Sequence, residues 1–182
     1  MRIARALGLT GLLVLGGASS GWSGSRDADA PTVVFTSLGS GFGTQGLGGV
    51  ASLNVGRGPL VYVLRASTTT EFEIFGPSPD QSDTDYSVLV GKRSGHGRTF
   101  SSIAAGIGLV RSVRRGALLA PPGWFFGGAY ERLDRVTVGL PLDFKATANL
   151  PGIGIGVNVF ANLNTRASFV GVALTVQLGK LR

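Results

Sequence analysis

The sequence predicts an all-β fold: an eight-stranded antiparallel up-and-down transmembrane β-barrel, preceded by a cleaved N-terminal signal segment. Three observations predict it. Apolar residues alternate with small and polar ones at period 2 through most of the chain. Glycine supplies 30 of 182 residues, about one in six against a usual share of about 7%. Charged residues are only 15% of the chain and cysteine is absent. The glycine content argues against long helices and coiled coils, because each glycine inside a helix costs about 1 kcal/mol. Without cysteine, disulfide scaffolds, thiolate metal sites, iron–sulfur clusters and thiol catalysis are excluded.

The N-terminus has the order of a secretory signal. Met1–Arg5 carries two arginines and no acid, 6–17 is apolar or small, and Ala18, Ser19, Ser20 and Gly21 offer a small-residue cleavage region. The apolar core is about 12 residues, short of the ~20 that a spanning helix needs. Cleavage near Ser20 would remove Arg2 and Arg5 and lower the formal net charge from +7 to +5. The expected organisation is a signal peptide over 1–20, a flexible segment over 21–31 and a barrel domain over 32–182.

The strands follow from the alternation. In 135–148, Val136, Val138, Leu140, Leu142 and Phe144 alternate with Arg135, Thr137, Gly139, Pro141, Asp143 and Lys145. A strand gathers the second set on one face, whereas a helix would scatter it. The same period recurs in 153–160 and 169–179, and again around Ile103–Leu109 and Leu60–Arg65. Runs between turn signals give strands near 33–42, 47–55, 60–75, 84–93, 99–112, 132–148, 152–162 and 167–180. Pro141, inside the clearest of them, would cost a ladder bond and mark a bulge.

Strands this long with an aliphatic face and an opposite face of Gly, Ser, Thr and Asn do not suit a soluble barrel. They suit a closed sheet in lipid, where every backbone group must be paired internally and the aliphatic face points outward. The short connections (56–59, 94–98, 149–151) then lie on the side of the termini. The longest ones, 76–83 and 113–131, lie on the other. That asymmetry is expected of outer-membrane barrels.

A signal segment, eight amphipathic strands and long loops on one side resemble the small outer-membrane β-barrel proteins of diderm bacteria, in the OmpA/OmpX-like size class. Residues 154–164 (GIGVNVFANLN), 168–172 (SFVGV), 178–182 (LGKLR) and 137–142 (TVGLPL) are similar to an uncharacterised subgroup of such barrels. The resemblance implies a fold and an outer-membrane location; it supplies no activity.

Strand parity puts Arg65, Glu71, Glu73, Arg135, Asp143 and Lys145 in the lumen. Three bases and three acids there read as a structural salt-bridge plug, or else as a narrow polar conduit. Arg111, Arg114 and Arg115, followed by Trp124, Phe125 and Phe126, read as an outer rim, lid or recognition loop. Its arginines would meet anionic lipid headgroups. Asp80, Asp83 and Asp85 read as a solvated loop without the spacing of a calcium loop. The G-x-G-x-x-G run of Gly41–Gly46 precedes no helix, so it reads as a hairpin loop and not a phosphate cradle. His96, alone between glycines, has no serine and acid set around it.

The expected role is structural, adhesive or weakly permeating, with no catalysis and no cofactor. Its partners would be outer-membrane lipid and the barrel-assembly machinery, not nucleic acid. The alternative is a soluble exported lipocalin-like barrel holding an apolar ligand. The two differ in whether Val136, Val138, Val170 and Val172 face outward or inward.

Overall fold

A computed structural model of the protein describes residues 32–72, 76–96, 98–124 and 127–180, with the backbone alone for His96. The expected signal segment and the stretch up to Pro31 lie outside them. The described chain is a closed antiparallel barrel, each strand paired with its sequence neighbours and β1 closing on β8. The strands are β1 Thr32–Gly43, β2 Gly46–Arg57, β3 Leu60–Thr70, β4 Ser82–His96, β5 Thr99–Ala120, β6 Ala129–Leu150, β7 Ile153–Leu163 and β8 Phe169–Lys180. The turns on the side of the termini are tight: Gly58 and Gly152 hold positive φ of 56° and 78° beside Pro59 and Pro151. Glycine reaches that region without a Cβ clash, while proline fixes the neighbouring φ.

The wall is aliphatic outside. Leu38, Leu64, Val88, Ile103, Ile107, Leu109, Val170 and Leu174 are all exposed on it, Val138 is 58% exposed and Val172 is 49% exposed. Its depth fits hydrocarbon. An 11-residue strand such as β3 rises about 36 Å at ~3.3 Å per residue. Tilted ~45°, it projects to about 25 Å, the height of the apolar band of such barrels. The lipocalin-like alternative requires the opposite facing.

The lumen is filled by side chains. Near the termini it is apolar, with Val33, Phe35 and Phe100 in one cluster and Val61, Val63, Leu89 and Ala104 in another. Along β3 the inward series runs Val61, Val63, Arg65, Ser67, Thr69, from apolar through charged to polar. A further cluster of Val50, Val110, Phe160, Phe169 and Ala173 packs within the lumen. Glycine makes room for these large groups. A Cβ at Gly171 would enter the Phe160 ring, and one at Gly139 would enter the Asn162 amide.

Two expectations are corrected. Pro141 marks no bulge. It faces Gly106, and β5–β6 pairing is interrupted between Ala105↔Leu142 and Gly108↔Gly139, yet the register is the same on both sides. The missing N–H removes bonding locally without inserting a residue. The region 113–131 is also not one long loop. β5 and β6 continue beyond the ring as a two-stranded ribbon to Ala120 and Ala129, with register shifts after Arg115.

Candidate functional site in the barrel lumen

The lumen holds a charged network built on five strands. Arg65 of β3 donates from Nη2 to Asp85 Oδ2 of β4 at 2.7 Å, and from Nη1 to Asp143 Oδ2 of β6 at 3.4 Å. The same guanidinium donates to the carbonyls of Leu142 (2.6 Å) and Ala161 (3.1 Å). Asp85 also accepts from Ser87 Oγ at 2.9 Å and from Asn162 Nδ2 of β7 at 2.8 Å. Lys145 Nζ lies 3.2 Å from Asp143 Oδ1 and donates to Asn54 Oδ1 (2.7 Å) and Ser52 Oγ (3.0 Å) of β2. Asn158 Nδ2 donates to Asp143 Oδ2 at 3.1 Å. Arg65 and Lys145 balance Asp85 and Asp143, and all four are buried. Neutrality and dense hydrogen bonding answer the several kcal/mol that each isolated buried ion would cost.

Towards the end remote from the termini a second layer forms. Asp83, fully buried, accepts from both Arg114 Nη2 (2.8 Å to each oxygen) and Ser112 Oγ (2.7 Å). Above it Glu71 pairs with Arg115, whose guanidinium also donates to the carbonyls of Pro77 (2.9 Å) and Pro79 (3.1 Å). That pair ties the β3–β4 connection to the β5–β6 ribbon. Ser78 reinforces it by bridging β6 through backbone bonds with Gly128 and Tyr130.

Of the six residues assigned to the lumen by parity, Arg65, Asp143 and Lys145 meet in one network. Glu71 does not: its strand has ended, and it sits at the mouth with Arg115. Arg135 does not either. It pairs with Ser112 in register but stands exposed on the ribbon, where β7 no longer covers β6. Glu73 lies outside the described residues. The rim set divides as well. Arg114 and Arg115 turn into the mouth rather than toward headgroups, Arg111 faces outward and pairs with Asp134, and Trp124 is 95% exposed. Phe125 and Phe126 lie outside the described residues.

The solvated-loop reading of Asp83 and Asp85 is wrong: β4 starts at Ser82 and turns both inward. The signal was present. Asp83, Asp85 and Ser87 are in phase with Leu89, opposite Tyr86, Val88 and Val90. The asparagines Asn54, Asn158 and Asn162 share the inward phase of their strands and are buried with them.

No family model matches the chain, and no curated protein sequence matches it. Among solved structures, the N-terminal β-barrel domain of Pseudomonas aeruginosa OprF aligns over 81% of this chain and 96% of that one, with TM-score 0.53 and 7% identity. Neisserial surface protein A aligns over 81% of this chain and 94% of that one, with TM-score 0.47 and 9% identity. The likeness to the OprF domain shows the fold, that of a small outer-membrane β-barrel.

Proposed function

We propose that the chain is an integral protein of the outer membrane, without catalytic activity, whose barrel is a closed scaffold for the parts that project beyond it. The observation that carries this reading is the division of the wall: aliphatic side chains outside, a charge-neutral hydrogen-bonded network inside. The neutral network supports a plug rather than a conduit. The Nη1 and Nη2 groups of Arg65 and the Nζ of Lys145 are engaged by carboxylates, carbonyls, an amide oxygen and a hydroxyl, so an ion crossing the lumen would have to break several of these at once. The hydroxyls beside its charges, Ser87 on Asp85 and Ser52 on Lys145, are buried within the lumen, which favours a non-enzymatic role.

Membrane fractionation with gel mobility before and after boiling tests this reading. The expected result is retention in carbonate-washed membranes and a mobility shift on boiling. Planar bilayers containing the purified protein should show no steady conductance. Release by carbonate without a mobility shift would contradict the membrane location; steady conductance would contradict the plug.

A further inference from the structure

The β6 strand has one side without a partner. Its pairing with β7 begins at Leu140↔Leu163, whereas β6 itself starts at Ala129. Ser78 covers the first residues of that edge, accepting from Tyr130 N and donating to Gly128 O. From Glu131 to Gly139, about 30 Å at ~3.3 Å per residue, the β7-side edge has no backbone partner among the described residues. The Ser78 bonds also fix its phase: even-numbered residues turn their N–H and C=O to this edge. Arg132, Asp134, Val136 and Val138 therefore present free backbone groups.

An open edge invites another strand, and charge ordinarily blunts it. Here the charges are self-complementary. The segment reads Glu131-Arg132-Leu133-Asp134-Arg135. Laid antiparallel on a second copy and centred on Leu133, it sets Arg132 opposite Asp134 on one face. On the other it sets Glu131 opposite Arg135 and Leu133 opposite Leu133. Every charge then meets its opposite, and the hydrogen-bonded pairs fall on even residues, as the phase of the edge requires. Shifting the centre to Asp134 or Arg135 would bring like charges together.

We infer that this edge is a homotypic docking strand, through which two copies pair antiparallel across Glu131–Arg135. The inference rests on the membrane reading above, and that reading sets the orientation. Copies in one membrane stand the same way up, so their rising strands would run parallel, stacking like on like in register. Antiparallel pairing joins copies on two opposed surfaces. The short paired segment makes each contact weak, so adhesion comes from many contacts together.

The test uses the full protein in neutral phosphatidylcholine vesicles, with clustering followed by light scattering. Heat-dependent gel mobility confirms insertion of each variant. Wild-type vesicles should cluster, and the clustering should fall as salt rises. Arg135→Glu and Glu131→Arg should each lose it, since like charges then face each other. Mixing the two single variants should restore it, and so should the double variant with both reversals. An inserted wild type that fails to cluster, or clustering indifferent to the reversals, would overturn the inference, as would clustering with protein-free vesicles. Failure to insert would instead count against the membrane reading.

Discussion

Arg65 Nη2 lies 2.7 Å from Asp85 Oδ2, and solvent reaches neither side chain. Breaking this pair leaves a buried charge without its partner. Asp85→Asn is therefore expected to cost about 3–5 kcal/mol. Urea unfolding in lipid vesicles, followed by far-ultraviolet circular dichroism and gel mobility, measures it. Asp143→Ala should likewise destabilise the barrel more than it changes permeation, because Asp143 lies between Arg65 and Lys145.

Gly171 lies against the Phe160 ring with no room for a Cβ. Gly171→Val should displace that ring and cost about 1–3 kcal/mol by overpacking. Gly123, with open space around its Cβ position, should accept alanine without loss. The same unfolding assay compares the two.

The outward wall gives a depth-dependent prediction. Leu174→Arg, exposed near the middle of a strand paired on both sides, should cost about 2–4 kcal/mol. Leu119→Arg, exposed near the end of the ribbon, should leave unfolding in vesicles nearly unchanged.

Outside the band, Asp134 is held below the ordinary carboxylate range, first by its hydrogen bond to the Arg111 side chain and also by the charges of Arg111 and Arg132. A depressed folded pKa contributes order that is present above the unfolded value. It is lost as pH falls through the folded one. The Arg111–Asp134 contact should therefore persist through mildly acid conditions and open only at strongly acid pH. Carboxyl chemical shifts of Asp134 in a nanodisc follow this titration. Arg111→Gln should move its midpoint upward.

The fold was legible in the sequence because a barrel wall in lipid repeats one simple rule along each strand. Val136, Val138, Leu140 and Leu142 alternate with smaller or charged neighbours, and nothing but a sheet satisfies that spacing. The centre of the lumen was legible in part, since Arg65, Asp143 and Lys145 keep the inward phase of their strands. Asp85 and Asp83 escaped because the aspartates and prolines around 77–85 carry a turn composition that outweighed their phase. Arg135 was misplaced because parity gives the face of a strand and not the height at which its neighbour ends. That β6 runs on after β7 has stopped is a property of register, and register between strands is set by turns and cross-strand packing rather than by any single run of residues.

The facing of the wall is tested most directly with single cysteines, since the native chain has none to compete. Spin labels at positions 138, 172 and 175 of the protein in vesicles report collision with oxygen, which concentrates in the bilayer, and with a water-soluble nickel chelate. The account predicts that labels at 138 and 172 collide with oxygen and not with nickel, while 175, on the inward side of β8, is shielded from both. Labels at 138 and 172 that are buried from oxygen or open to nickel would contradict it.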